Sequence, residues 1–92
     1  MDKKPAVGKR EHVRKAVTAV PTLLFTDDSG RDAVVMYNEG PQNVRIGHSG
    51  TVATRGMLLE FGQGFTDNYS KDAWWGITTA GSGTISGFKV IS

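Results

Sequence analysis

The sequence predicts an all-β domain: a small antiparallel β-sandwich, or a partly open barrel, of about seven strands. Three observations predict this fold class and favour the sandwich. Short apolar and β-branched segments alternate with turn residues along the 92-residue chain. No segment has the apolar period of an amphipathic helix. The length suits one domain, and because cysteine is absent its core must be stabilised without disulfides.

The first predicted strands lie in the amino-terminal half of the chain. Residues 16–25 are apolar and β-branched around Pro21, which marks an edge strand or a break between two short strands. The sequence DDSGRD at 27–32 is typical of a turn. Residues 33–38 have apolar side chains on both strand faces, which predicts a central strand. We expect residues 44–46 to pair with it as a hairpin.

The segment 44–65 is rich in glycine and contains five of the twelve glycines in the chain. Its pattern predicts a short strand, a glycine-rich loop, a second short strand, a turn and a third strand. Glycine favours tight turns because it adopts positive φ without a steric penalty. We therefore interpret the loop at 47–56 as a rigid corner of the domain, without catalytic features.

The last two predicted strands are residues 73–79 and 84–91, joined by the sequence AGSG, whose composition predicts a hairpin turn. The apolar alternation of the final strand changes phase in its middle. A β-bulge at Gly87 would place all of its apolar side chains on one face. These side chains are Ile85, Phe88 and Val90.

The charge of the chain is distributed unevenly. Residues 1–15 have a net charge of +4, whereas residues 16–92 have a net charge of −2. The sequence therefore divides into a basic extended arm, 1–15, without regular structure of its own, and a β-sandwich domain, 16–92. A solvated tail is one interpretation of the arm. Binding to an acidic surface, either of a protein neighbour or of nucleic acid, is another. The candidate partner-binding residues of the arm are Lys3, Lys4, Lys9, Arg10, Arg14 and Lys15.

Two adjacent tryptophans provide a further candidate contact. Consecutive residues of a strand point to opposite faces, so one of Trp74 and Trp75 should lie in the core. We expect Trp75 and Ile77 to face the core and Trp74 to face outwards. An exposed Trp74 would be a candidate anchor for a capsid or subunit interface, because tryptophan is enriched at binding hot spots.

The sequence predicts no catalytic, cofactor-binding or metal-binding residues, and therefore no enzyme. Without cysteine, a zinc site would need both histidines, His12 and His48, together with carboxylates. The sequence DDSGRD lacks the glutamate that completes a calcium-binding loop. The sequence GHSG at 47–50 lacks the spacing and context of a nucleophile elbow. No apolar run approaches the length of a transmembrane helix, so we expect no membrane partner.

Two segments resemble a pattern found in small β-sandwich virion proteins of tailed bacteriophages. These are NEGPQNVRIGHSGTVATRGMLLEFGQGFTDNY and AWWGITTAGSGTISGFKV. In that pattern, a strand ending in Asn leads through a turn to a V-x-I-G-x-S strand. A threonine-containing loop, a G-x-x-F turn and two further strands follow. The resemblance covers residues 33–90 and leaves residues 1–20 outside it.

The resemblance implies a structural role in the virion rather than catalysis. It implies a head decoration, cement or capsid-accessory protein that binds the major capsid lattice through its arm and an apolar edge. The implied location is the virion, assembled in the host cytoplasm. The implied partners are the major capsid protein, other virion proteins and further copies of the chain, for example in a trimer.

Two alternative functions are retained. One is a tail or head–tail accessory protein, and the other is a small module that binds a sugar or a nucleic acid through aromatic side chains. Nucleic acid is the less favoured ligand, because the basic residues fall in the arm and the body is mildly acidic.

Overall fold

The computed structural model describes residues 9–49 and 56–91. This described part contains eight β-strands and no helix. Their bounds are β1 (Lys9–Val17), β2 (Thr22–Phe25), β3 (Arg31–Pro41), β4 (Val44–Gly47), β5 (Met57–Leu59), β6 (Gly64–Asp67), β7 (Trp74–Ile77) and β8 (Gly83–Ile91). The glycine-rich corner expected at 47–56 falls largely outside the description, which omits residues 50–55.

The strands form two four-stranded sheets packed as a sandwich. The first sheet has the order β1-β8-β3-β6, and the second has the order β2-β7-β4-β5. Every pair within the two sheets is antiparallel. The predicted all-β antiparallel sandwich is therefore confirmed, and because both sheets are open at their edges the barrel is not formed.

The strand order is that of a jelly roll. The pairs β1–β8, β2–β7, β3–β6 and β4–β5 are those of one long hairpin with its tip between β4 and β5. Pairing of β8 with β3 and of β7 with β4 completes the two sheets. β4 and β5 lie in the same sheet, whereas all the remaining pairs of consecutive strands lie in opposite sheets. The hairpins predicted for 33–38 with 44–46 and for 73–79 with 84–91 are therefore wrong, because consecutive strands lie in opposite layers.

The core lies between the two sheets and receives side chains from both. Its buried members are Val17, Leu24, Phe25, Val34, Met36, Val44, Ile46, Leu59, Trp74 and Ile85. Buried Asn38 on β3 joins the layers, because its Nδ2 donates 2.9 Å hydrogen bonds to the carbonyls of Gln42 and Leu59. Its Oδ1 accepts from the backbone N–H of Gly40. The satisfied amide can therefore occupy a buried position.

Arg31, at the start of β3, connects the loops at one end of the sandwich. Its side chain is fully buried. The guanidinium donates to the carbonyl oxygens of Thr26, Ser70 and Asp72, over distances of 2.7–3.0 Å. These bonds compensate in part for burying the charge, while the buried Nε has no hydrogen-bond partner among the described residues. They also fix the loops that follow β2 and β6.

Residues 9–15 belong to the sandwich. β1 pairs with β8 at every position from Lys9 to Val17. Val17 is fully buried and Val13 packs against the core. The expectation that residues 1–15 lack regular structure is therefore wrong for 9–15, and 1–8 lie outside the described residues. The edge of β8 explains the difference, because β1 satisfies backbone groups there despite its polar composition.

Gly87 does not form the predicted bulge. β8 keeps a continuous register with β1 through this position, and the register shifts against β3 occur at Arg31/Ala33 and Asn38/Gly40. Ile85 is consequently buried, while Phe88 and Val90 are half-buried on the opposite face. Glycine is required because a Cβ here would overlap the carbonyl oxygen of Val35. Because β8 approaches β3 closely at Gly87 and has no bulge there, Phe88 and Val90 remain outside the core.

Candidate protein-binding surface

Four of the six predicted basic contacts lie on β1, an edge strand of the first sheet. Lys9, Arg10, Arg14 and Lys15 are all exposed. Because alternate residues of a strand share a face, Arg10 and Arg14 lie opposite inward-facing Val13 and Val17. Lys15 Nζ donates to the carbonyl of Leu23 on β2, at 3.1 Å. The other two predicted contacts, Lys3 and Lys4, lie outside the described residues.

The outer face of the first sheet combines basic and aromatic side chains. We call this surface the basic–aromatic face, and its members are Arg10, His12, Arg14, Tyr37 and Phe88. The register places Phe88 between His12 on β1 and Val35 on β3. The rings of His12 and Phe88 are 5.4 Å apart, and Arg10 Cζ lies 5.7 Å from the centre of the Phe88 ring. These distances permit ring and cation–π contacts.

Apolar side chains extend the basic–aromatic face. Ala33, Val35 and Val90 are half-buried on it, and Tyr37 is 43% exposed. An antiparallel sheet with one solvated face usually presents polar residues there. This face is instead partly apolar, which is typical of a surface that contacts another molecule.

Arg14 is held in place by Glu39 on the adjacent part of β3. Its Nη2 and Nε donate to the two carboxylate oxygens at 2.9 and 3.2 Å, a bidentate arrangement. The hydrogen bonds from Arg14 and Ser86 lower the pKa of Glu39, and the contact with Glu39 raises the pKa of Arg14. Because both groups are exposed, the pair orients Arg14 more than it stabilises the fold.

The outer face of the second sheet is also apolar. We call it the tryptophan face, and it comprises Leu23, Arg45, Leu58 and Trp75. The register pairs Leu23 with Trp75, and pairs Arg45 with both Ile77 and Leu58. Leu58 is 42% exposed and Trp75 is half-buried. Arg45 Nη1 donates to the carbonyl of Gly56, which precedes β5, at 3.0 Å.

The predicted orientation of the two tryptophans is wrong. Trp74 is only 5% exposed and lies in the core, so it cannot serve as an exposed partner contact. Gly76 explains the orientation, because a Cβ there would lie 3.1 Å from Leu24 and 3.2 Å from Val44. Since Gly76 faces the core, Trp74 does too, and Trp75 faces outwards. Ile77 is buried, at 7% exposure, as expected.

Trp74 is fixed by Asp67 at the end of β6. The indole Nε1 donates to Asp67 Oδ2 at 3.1 Å, and Oδ1 accepts from the backbone N–H groups of Tyr69 and Ser70. Burial of Asp67 opposes ionisation, but these hydrogen bonds outweigh it and lower the pKa of the carboxyl group. The His48 ring packs against Trp74 at a tilt of 44°, with a centroid distance of 4.1 Å. This group of residues supports the core.

The residues considered for metal binding or catalysis do not assemble in the described residues. No group of three or more His, Cys, Asp or Glu side chains lies there in a metal-binding arrangement. Within the DDSGRD turn, Asp28 accepts from the Gly30 N–H at 2.9 Å and contacts Lys89 Nζ at 3.3 Å. His12 lies on the first sheet, whereas His48 follows β4 of the second.

Sequence reasoning missed the basic–aromatic face because it separated the arm from the body. Phe88 and Tyr37 come next to the basic residues only because β1 pairs with β8, and β8 pairs with β3. The sequence signal for a strand in this region was the pair of β-branched residues Val13 and Val17, which point to the same face of an extended chain. The surrounding charges obscured it.

Comparisons with protein-family models, with curated proteins and with solved structures found no match. Within residues 9–49 and 56–91, no helix is long and apolar enough to cross a membrane.

Proposed function

We propose that this protein is a structural component of a tailed-phage virion, of the head decoration or capsid-accessory type. In this proposal it binds the major capsid protein and neighbouring copies through β1, the basic–aromatic face and the tryptophan face. Its location is the virion, and its role is structural rather than enzymatic.

The observation that carries the proposal is the apolar character of both outer faces. Val35, Phe88 and Val90 on one sheet and Trp75 on the other are half-buried, and Leu58 is 42% exposed. A sandwich that works alone usually covers such faces with polar side chains. Packing against another protein would remove this apolar area from water, which is the main favourable term in association.

Fold and charge add support to the proposal. The jelly-roll strand order occurs in viral capsid proteins, and also in lectins and cupins. Because a fold alone does not establish function, the proposal rests on the surfaces together with the phage-like sequence pattern of residues 33–90. The basic residues of β1 complement an acidic capsid surface and would accelerate association.

The test is co-sedimentation of the purified protein with capsids of the phage that encodes it. The informative variant is Phe88→Glu, which puts a charge in the middle of the basic–aromatic face and leaves the core side chains unchanged. Tyr69→Glu is the matched control, because Tyr69 is 92% exposed in the loop after β6. Thermal unfolding of both variants shows whether the fold is retained.

We expect the wild type and Tyr69→Glu to pellet with capsids, and a folded Phe88→Glu to remain mostly in the supernatant. The carboxylate would replace apolar contact area with a charge that loses water in the interface, and it would offset the positive charge of Arg10 beside it; both effects weaken binding. A wild-type protein that stays in the supernatant at saturating capsid concentration would contradict the proposal. Equal pelleting of the two variants would exclude the basic–aromatic face as a contact.

A second candidate function is binding of single-stranded nucleic acid on the basic–aromatic face. The contact of Arg10 and His12 with Phe88 favours it, because single strands bind where aromatic rings lie beside basic side chains. Fluorescence anisotropy of a labelled oligothymidylate measures this binding. Saturable binding that weakens steeply with salt would support the second function, and a flat titration would exclude it.

A further inference from the structure

β1 is the longest open sheet edge in the described part of the molecule. It has nine residues, whereas the other edge strands have four in β6, four in β2 and three in β5. Its register with β8 contains no shift, whereas the pairing of β2 shifts between Leu23 and Phe25. A long and regular edge is the kind that can pair with another chain.

The backbone of β1 can accept another strand. In an antiparallel ladder, alternate residues direct their N–H and C=O groups towards the neighbouring strand, and the others direct theirs away. The sequence KREHVRKAV contains no proline, so every residue can donate a hydrogen bond. Outside its pairing with β8, no backbone hydrogen bond is formed by β1 with the described residues. Among residues 9–49 and 56–91, the donors and acceptors on its outer side therefore have no backbone partner.

The charge of β1 selects the chemistry of its partner. Four basic residues against the single acid Glu11 give the strand a net charge of +3. Within the described residues, Arg14 has Glu39 as its partner and Glu11 has Lys89. The remaining cations, Lys9, Arg10 and Lys15, form no ion pair there. Pairing β1 with its own copy would oppose two strands of charge +3, which is unfavourable, whereas an acidic strand complements it.

We propose that β1 binds an acidic extended segment of a partner protein, which adds to the first sheet as a further strand. This inference rests on the proposed function, because it states how a capsid or accessory protein is recognised. Backbone hydrogen bonds supply affinity, and alternate side chains supply selectivity. Carboxylates on one face of the segment meet Arg10 and Arg14, and those on the other face meet Lys9 and Lys15.

Basic residues on an edge strand also prevent unwanted pairing. Protection and recognition differ in one testable respect. Charge of one sign repels an identical copy, but it attracts a strand of opposite charge. The response of β1 to an acidic strand therefore distinguishes a protective edge from a binding edge.

The test uses the full chain and a fluorescently labelled synthetic peptide as long as β1, in which pairs of Glu alternate with pairs of Val, so that both faces of the strand carry carboxylates. A control peptide has the same charges but Pro in place of every Val, which removes those backbone donors. We expect the first peptide to bind and the control to bind at least about tenfold more weakly, as backbone-dependent strand addition requires. Hydrogen exchange should slow at β1 amides when the first peptide is bound.

Equal binding of the two peptides would show attraction by charge alone and would overturn strand addition. Slower hydrogen exchange at amides outside β1, with none at β1, would also overturn it. Absence of binding by either peptide would also overturn it. If capsid co-sedimentation persists in that case, the proposed function stands while the inference fails. A dimer of the free protein that the peptide does not dissociate would assign the edge to a second copy instead.

A matched pair of protein variants locates the binding. The first is the double variant Lys9→Gln/Arg10→Gln, which lowers the net charge of β1 by two. The second is the double variant Gln63→Glu/Asn68→Asp, which lowers the net charge by two beside β6, at the opposite edge of the same sheet. Glutamate at position 63 keeps the side-chain oxygen that accepts from the Glu60 N–H. We expect about tenfold weaker peptide binding for the first variant, on the scale of two charge contacts, and little change for the second. Equal weakening would overturn the assignment to β1.

Discussion

Asp67 shows how one carboxylate organises the core and a neighbouring loop. One oxygen accepts from the indole of Trp74, and the other accepts from the N–H groups of Tyr69 and Ser70. The side chain thereby fixes the end of β6 and the orientation of β7. It also satisfies an indole N–H that would otherwise be buried without a partner.

Replacement of Asp67 by Asn should lower the free energy of unfolding by about 1–3 kcal/mol, the cost of a buried group left unsatisfied. Asn has a single acceptor oxygen, so either the loop amides or the Trp74 indole loses its partner. The urea midpoint at pH 7 measures the loss. Asp72→Asn, at an exposed position, is the control and should change stability by less than about 0.5 kcal/mol. Equal losses would contradict this role of Asp67.

The lowered pKa of Asp67 also predicts the acid dependence of stability. Its pKa in the folded state lies below the ordinary value of 3.8, because hydrogen bonds outweigh burial. The contribution of the ionised form is complete above about pH 4 and is lost as pH falls through the folded pKa. Asp67→Asn should therefore lose less stability than the wild type between neutral pH and about pH 2. Asp28 and Glu39 also have lowered pKa values, but they are common to both proteins. Parallel acid profiles would contradict the assignment.

Gly87→Ala should destabilise the protein by about 3 kcal/mol or more, at the upper end for overpacking. The new methyl group would overlap the Val35 carbonyl, and a backbone oxygen in a paired strand cannot move aside. Gly30→Ala is the control, because its Cβ would lie 3.4 Å from the nearest atom, Asp28 Oδ1. Thermal unfolding of both variants measures the difference. Similar melting temperatures would contradict the close approach of β8 to β3.

Side-chain orientation was the least predictable feature at this scale. Sequence alternation allows either Trp74 or Trp75 to face the core, and only Gly76, packed against Leu24 and Val44, decides it. Gly87 is similar, because a glycine that breaks the alternation is compatible with a bulge or with close strand contact. Both orientations depend on contacts with strands from distant parts of the chain, and these contacts cannot be predicted from the local sequence.

At the scale of elements, most strands could be predicted, because their β-branched and apolar runs are separated by clear turns. β3 nevertheless continues to Pro41, three residues beyond the predicted end at Asn38. β1 was missed for residues 9–15, because its side chains are charged and largely exposed. Its only apolar contacts with the core come from Val13 and Val17. Such a strand depends on its backbone partner more than on its own apolar pattern.

The truncation of residues 1–15 tests the role of β1. It removes seven of the nine residues of β1 and leaves the edge of β8 unpaired. We expect a large loss of stability, several kcal/mol, because Val13 and the backbone pairing are removed together. Truncation of 1–8 leaves β1 whole and is the control. Circular dichroism during thermal unfolding measures both, and equal melting temperatures would contradict an integral β1.

At the scale of the whole molecule, the jelly-roll order was not predictable from local pattern. The turns at 42–43 and 78–82 look like hairpin turns, yet each carries the chain from one sheet to the other. This wrapping brings β1, β8 and β3 side by side and creates the basic–aromatic face. The same strand order leaves Trp75 half-buried on the outside of the second sheet. The candidate surface therefore arises from topology rather than from a sequence motif.

A small sandwich with two partly apolar outer faces and a long basic edge has several surfaces for protein contacts. A decoration or accessory protein uses such surfaces to bind the lattice and adjacent copies simultaneously. Several weak contacts then act together, since neighbouring sites on one particle raise the effective concentration. Under the proposed function, a variant on one of these surfaces should reduce particle binding without unfolding the protein.

The most direct test of the proposed virion role is quantitative mass spectrometry of purified, salt-washed virions of the phage that, under this proposal, encodes the chain. A structural component of the head should be present in a fixed ratio to the major capsid protein, and the ratio should be the same in independent preparations. Absence of the chain from such virions, or an amount that varies between preparations and falls with each wash, would contradict the assignment.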